Sequence, residues 1–261
     1  FAAAITASAG ALGSLIPPSN LLIIYGLVSE TSIPRLFLAG LIPGLLVTIL
    51  LMITTYIVAR KRGYGGDGAP FSWRPFLRAC WEGKWSIGAP VLILGGIYGG
   101  IFTPTEASIV ASLYAFVVGM FVYKGITWQN LPKILMDTAL SSSSLLLLVG
   151  MANLFGWILT SEQIPQMLSD AIFGITSNPI LVILILNLVL LLVGGFMETI
   201  AALIILFPTL LKVAEGIGMD PIHFGIMAVL NLMIGLTTPP VGVCLFVAAG
   251  IGKIPMSHVV K

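Results

Sequence analysis

Two pairs of consecutive prolines, Pro17-Pro18 within GSLIPPSN (13–20) and Pro239-Pro240 within GLTTPPVG (235–242), interrupt apolar stretches that otherwise read as membrane helices. Proline has no N–H, so the carbonyl four residues earlier loses its helical partner. The oxygens released belong to Gly13 and Ser14 in the first stretch and to Gly235 and Leu236 in the second. Non-helical backbone at bilayer depth persists only where it is buried in protein or lines a cavity. Oxygen ligands suit hard cations such as sodium, and secondary transporters use unwound carbonyls in this way, often in two inverted repeats. A single Pro-Pro would be read as a kink. Here the two copies share a context, FAAAITASAGALGSLIPPSNLLIIYG and FGIMAVLNLMIGLTTPPVGVCLFVAAG, followed by SIP at 32–34 and KIP at 253–255. The expectation is a pair of discontinuous helices that form an ion or substrate site.

Composition defines the solvent around those helices. The 261 residues are 58% hydrophobic and 8% charged, with mean hydropathy +1.09 and formal net charge +2. Apolar runs of about 20 residues match the roughly 30 Å hydrocarbon core of a bilayer. They are apolar all round, which argues for an all-α polytopic membrane protein rather than a barrel of alternating strands. No basic tract with interleaved aromatics is present, so nucleic acid is not an expected partner. Cys80 and Cys244 lie in unlike settings, one polar and one apolar, and suggest neither a disulfide nor a metal site. The chain opens at Phe1 inside an apolar stretch and is read as the later part of a longer protein.

Basic residues set the expected orientation. Arg60, Lys61, Arg62, Arg74, Arg78 and Lys84 crowd one loop, taken as the inside. Residues 1–26 then run outward, 36–59 inward, 86–102 outward, 105–123 inward and 138–160 outward, leaving Glu162 and Asp170 outside. The apolar run 180–214 is too long for one span and is interrupted by GGFMET at 194–199. It either crosses once, with Lys212, Glu215 and Asp220 inside, or turns back at GGFMET as a re-entrant hairpin with arms of about 15 residues, roughly 22 Å each. The hairpin puts Lys253 and Lys261 inside and fits the charge bias better. It also sends the two Pro-Pro helices through the membrane in opposite directions, as inverted repeats require.

Other polar residues are weighed against structural roles. Glu198 is an acid at the proposed hairpin tip, either functional or the start of the returning arm. In TPTE, Thr103 is read as N-cap, Pro104 as the first helical residue and Glu106 as the capping-box acid. Asn178-Pro179 and Asp220-Pro221 read as helix starts, with His223 interfacial. The serines at 141–144 are read as close helix packing. WRPFLRACWEGKW (73–85) reads as an amphipathic helix on the cytoplasmic face with Trp anchors. His258, near the chain end, carries no role. An integral-membrane enzyme would need a nucleophile set, an HExxH motif or clustered acids, and the chain has none of these.

GSLIPPS, the RKRGY loop start, GGIYGGIFTPTEAS, GGFMET, DPIHFGIM and GLTTPPVG together resemble, in order and spacing, the large membrane subunit of tripartite ATP-independent periplasmic (TRAP) transporters. The resemblance covers essentially the whole chain. It implies an inverted-repeat, elevator-type transporter with re-entrant hairpins and discontinuous helices, in the bacterial inner membrane. It also implies import of a small organic acid, such as a sialic acid or dicarboxylate, coupled to Na+ and with no organic cofactor. The partners implied are a small membrane subunit and a periplasmic substrate-binding protein. Two sodium sites are implied, each between a hairpin tip and an unwound helix. By position the unwound backbone oxygens of Gly13, Ile16 and Pro18 would serve the first, and those of Gly235, Thr238 and Pro240 the second, with Phe196, Glu198 and Thr199 at the second hairpin tip. Ser14, Ser19, Asn20 and Thr237 would lie beside substrate, and the first hairpin would fall upstream of Phe1. The implied division is an unwound helix at 1–26, scaffold and arm helices at 27–179 with the amphipathic stretch inside 60–85, a hairpin and second unwound helix at 180–250, and a terminal segment at 251–261. A stand-alone sodium–carboxylate symporter needing no binding protein is the alternative reading.

The hairpin makes a direct prediction. Cysteines placed at Asn178 and Gly216 should both react with an impermeant thiol reagent added from outside, whereas a single crossing leaves one of them unlabelled.

Overall fold

The computed structural model describes residues 1–64, 72–240, 242–255 and 259. Residues 65–71 of the basic loop, His258 and Lys261, on which parts of the loop, terminal-segment and orientation readings fall, lie outside the described residues. Helices account for the regular structure throughout, and no strand occurs among the described residues. Among the described residues five helices are long and apolar enough to cross a membrane. They are α3 (Ile33–Lys61), α6 (Pro104–Val117, continued by a π turn to Val122), α7 (Leu131–Ser161), α9 (Pro179–Phe196) and α10 (Thr199–Gly216). The shorter helices are α1 (Ala2–Leu12), α2 (Asn20–Val28), α4 (Trp73–Glu82), α5 (Lys84–Tyr98), α8 (Ile164–Ile175), α11 (Pro221–Gly235) and α12 (Val243–Gly252). The all-α, multi-pass reading therefore stands. The chain divides into two units, 54–145 and the remainder.

In the 54–145 unit, α4 buries none of its residues, and its Arg78 pairs with Glu82 at 2.9 Å. Lys84 Nζ sits 4.0 Å from the Trp81 ring centroid. The start of α6 is the capping box read from TPTE: Thr103 N–H donates to Glu106 Oε2 at 2.8 Å, and Glu106 N–H donates to Thr103 Oγ1 at 3.3 Å. The serines at 141–144 are exposed within this unit rather than packed. Ser141 and Ser144 donate to the carbonyls of Asp137 and Leu140 in their own helix.

The other unit contains both Pro-Pro stretches, and each lies between two short helices. The first separates α1 from α2, the second α11 from α12. The two broken helices run antiparallel. At one end Tyr25 Oη of α2 donates to the Pro221 carbonyl at the start of α11 at 2.5 Å. At the other, Ala7 of α1 is buried in one cluster with Leu245, Ala248 and Ala249 of α12. Beside the first of these contacts Tyr25 meets Phe207 edge-on and Phe207 meets Phe224 at a tilt, with centroids 5.3 and 5.4 Å apart; all three are fully buried and bind α2, α10 and α11 together. Gly225 admits the Tyr25 ring directly against its Cα.

Helix starts follow the expected chemistry. Asn178 Oδ1 accepts from Ile180 N–H at 3.0 Å ahead of Pro179, and Asp220 Oδ1 accepts from Ile222 N–H at 2.8 Å and His223 N–H at 3.3 Å ahead of Pro221. Only Met197 and Glu198 separate α9 from α10, and the chain turns back there. Gly216 at the end of α10 lies so close to Phe173, just upstream of α9, that a Cβ on it would come within 2.9 Å of the ring. Residues 164–175, read only as lying outside, form a helix that packs on α10 with Pro165 and Ile172 buried. The first break is seated on α3, where Gly40 and Gly44 replace side chains: a Cβ at Gly40 would lie 3.0 Å from the Leu15 carbonyl, and one at Gly44 2.9 Å from Ile16. Small residues spaced four apart are the usual means of close helix approach in membranes.

Candidate functional site

The α9–α10 tip lies between the two breaks and lines a cleft with each. Toward the first break, Glu198, Thr199, Ile200 and Leu236 face Gly13, Ser14, Pro18 and Asn20 across about 300 Å³. Toward the second, Gly194, Met197, Glu198 and Thr199 face Gly235, Leu236 and Gly242 across about 150 Å³. Glu198, Thr199 and Leu236 thus belong to both clefts. Six helix ends meet here: the C-terminal ends of α1, α9 and α11 and the N-terminal ends of α2, α10 and α12. C-terminal ends present carbonyl oxygens with partial negative charge, and N-terminal ends present N–H groups with partial positive charge.

What brings the tip to the second break is glycine. A Cβ on Gly235 would collide with the backbone of Gly194, its carbonyl oxygen included, and one on Gly194 would lie 3.3 Å from Leu232 Cα. Gly242, at φ +46°, starts α12 in a backbone conformation that glycine adopts at no steric cost. The Pro17–Pro18 and Pro239–Pro240 peptides are both cis.

The four released carbonyls behave unequally. Ser14 O is taken by the hydroxyl of buried Ser19, which also accepts from Leu22 N–H at 3.3 Å and so caps α2. Gly235 O accepts from Thr238 N–H at 3.0 Å, and Leu236 O accepts from Cys244 N–H at 3.1 Å. Gly13 O alone has no donor among the described residues. Local turns therefore recapture three of the four oxygens, and the proline pattern overstated how many were free. At Glu198, Oε2 accepts from Ala201 N–H at 2.8 Å, so the side chain caps α10 while lining both clefts. The two roles weighed for this acid are compatible.

The side chains of several sequence-derived candidates lie outside the clefts, which bears on side-chain roles and not on the backbone oxygens expected of Ile16, Thr238 and Pro240. Ile16 packs on Gly44, Phe196 is 68% exposed, Pro240 is exposed, and the Thr237 and Thr238 hydroxyls turn back to the Ile234 carbonyl at 2.9 and 2.7 Å. Conversely, Gly194, Met197 and Gly242 line the second cleft and were not singled out as site residues, and Leu236, read only for its released carbonyl, lines both clefts. The paired glycines of GGFMET were the available signal, because glycine at a helix end marks close backbone approach. Among the described residues no three His, Cys, Asp or Glu side chains converge, so the oxygen donors on hand are backbone, hydroxyl and amide groups and the one acid, Glu198.

An apolar all-α chain built round two antiparallel interrupted helices is a multi-pass membrane protein. The chain belongs to the family described as "Tripartite ATP-independent periplasmic transporter, DctM component", whose profile matches residues 1–261. It is 47% identical over 255 residues to the sialic acid TRAP transporter large permease protein of Vibrio cholerae, covering 98% of this chain and 60% of that protein. It is 43% identical over 261 residues to the isethionate TRAP transporter permease protein of Oleidesulfovibrio alaskensis, covering 100% of this chain and 41% of that one. To the C4-dicarboxylate TRAP transporter large permease protein of Pseudomonas aeruginosa it is 41% identical over 261 residues, covering 100% and 61%. The chain thus spans between 41% and 61% of the length of these relatives. The family is one of transporter permeases rather than enzymes.

The glycine contact yields a contrast. Gly235→Ala should abolish or strongly reduce uptake and lower thermal stability by about 1–3 kcal/mol, the usual cost of overpacking. Gly195→Ala, whose Cβ would lie 3.8 Å from the Pro239 carbonyl, should leave both near the parent level. Melting curves and uptake rates of the two variants at matched membrane abundance check it.

Proposed function

We propose that this chain is the ion-coupling part of a sodium-driven secondary transporter that imports a small organic acid. The observation that carries the proposal is the shared tip: Glu198 and Thr199 line the clefts at both broken helices, so one element is placed to respond to ligands at either. Charge supports the same reading. Among the described residues lining the two clefts the only charged side chain is an acid, and none is basic. An organic anion entering such a site needs positive charge to arrive with it, and hard cations on carbonyl and carboxylate oxygens supply that. Sodium would lie against Gly13 O, the C-terminal ends of α1, α9 and α11, and Glu198. The carboxylate of the substrate would lie toward the N-terminal ends of α2, α10 and α12, with Ser14 and Asn20 beside it. Thr238, Pro240, Ile16 and Phe196 would then shape the breaks and tip rather than hold the ion with their side chains.

In this reading the antiparallel broken helices are inverted repeats, α9–α10 is a re-entrant hairpin, and residues 1–26 and 180–250 move as an elevator against the rest. The relatives' names carry a sialic acid, isethionate and C4-dicarboxylates, all organic anions. Family membership supports two partners, a small membrane subunit and a periplasmic substrate-binding protein, in the bacterial inner membrane.

Glu198→Gln tests the ion role without removing the helix cap, because the amide oxygen can still accept from Ala201 N–H. It should raise the sodium concentration for half-maximal uptake about tenfold or more, the size of a lost charged interaction of about 1.5–3 kcal/mol, with the melting temperature little changed. Unaltered sodium dependence in reconstituted vesicles would remove the acid from the ion site.

A further inference from the structure

Among the buried polar side chains, Thr199 lines both clefts and Ser19 holds the Ser14 carbonyl at the first break, but Asn231 takes no part in either. It is 4% exposed, on α11, and its Nδ2 donates to Asn187 Oδ1 of α9 at 2.7 Å and to the Met227 carbonyl at 2.8 Å. The half-buried Asn187 in turn donates from Nδ2 to the Ile183 carbonyl at 2.8 Å and reaches Met227 Sδ at 3.3 Å. Two amides from different helices are thereby linked in otherwise apolar surroundings. Asn187 precedes Gly194 by seven residues and Asn231 precedes Gly235 by four, spacings that place each amide on the same helix face as its glycine. The α9–α11 seam therefore carries an amide pair and, one to two turns along, the glycine pair that seats the tip.

The glycines permit close approach but supply little attraction to hold it. The rest of α9 is a run of Ile, Leu and Val residues, which pack almost equally well in neighbouring registers. A buried asparagine pair does not, since a shift by one turn, about 5.4 Å, parts the amides and leaves both unpaired in apolar surroundings. Buried asparagines fix register between packed helices in this manner, at some cost in stability.

We propose that Asn187 and Asn231 are positioning residues: their hydrogen bond sets the register of α9 on α11 and so holds the Glu198 tip against the second break. The consequence for ion binding rests on the sodium reading given above; the consequence for tip position does not. The test uses the complete transporter with Cys80 and Cys244 replaced by serine and cysteines introduced at Met197 and Val243, which line the same cleft. Oxidative cross-linking of that pair reports tip seating, and uptake reports half-saturation by sodium.

The decisive variant replaces both asparagines by leucine. Removing both polar partners together is nearly neutral for stability, so a merely structural pair predicts parent-like melting, cross-linking and sodium dependence. Positioning predicts parent-like melting with cross-linking slowed, and half-saturation by sodium raised, by about threefold to tenfold, the range of one interhelical hydrogen bond. Parent-rate cross-linking in the double variant overturns the proposal. Should the double variant fail to reach the membrane, Asn187→Ser, too short to meet Asn231, gives the same readout, and parent-rate cross-linking there overturns it equally. Slowed cross-linking in a transporter whose uptake ignores sodium supports the amide pair and counts instead against the sodium reading.

Discussion

The contact between Gly194 and Gly235 is the constraint on which the rest of the site depends. With no side chain on either residue, the end of α9 lies backbone to backbone on the end of α11. Any Cβ at Gly235 forces the two apart. That approach puts Glu198 and Thr199 between the breaks and makes two clefts share one wall. The same device recurs on the opposite side, where Gly40 and Gly44 of α3 accept Leu15 and Ile16 of the first break. At these two places glycine lets a neighbouring helix cover part of each break, in keeping with the need to satisfy backbone polar groups in a bilayer.

Six helix ends gathered at one place give the site its electrostatics without a cluster of charged side chains. Three ends present carbonyls and three present N–H groups, so a cation and an anion can each find the complementary end of a dipole. One acid and no basic residue among the described lining residues would, in the proposed reading, tilt the balance toward the cation. Under the proposed sodium reading, such a site would favour an anion once cations are in place, and this would be the thermodynamic content of coupling: each ligand raises the affinity for the other by the same factor.

Much of the fold was legible. The Pro-Pro pairs marked both breaks, TPTE and the Asn-Pro and Asp-Pro dipeptides marked helix starts, and GGFMET marked the turn between α9 and α10. Proline identifies which carbonyl loses its partner but not which group replaces it. The Ser14–Ser19, Gly235–Thr238 and Leu236–Cys244 bonds depend on how the chain turns after the break, so among the described residues only Gly13 kept the open oxygen expected of all four. Asn187 and Asn231 were single polar letters in apolar runs, and their pairing across 44 positions is set by α9 lying on α11. The helix at 164–175 was passed over because its place comes from packing on α10 rather than from length.

The central claim is that a cation is held where the tip meets the two breaks. The most direct measurement is the alkylation rate of a cysteine at Met197 in the reconstituted transporter, with Cys80 and Cys244 replaced and no organic substrate present, in sodium and then in potassium of equal ionic strength. The account predicts slower alkylation in sodium, saturating over the concentrations that drive uptake. An equal rate in both salts, in a preparation active for transport, would contradict it.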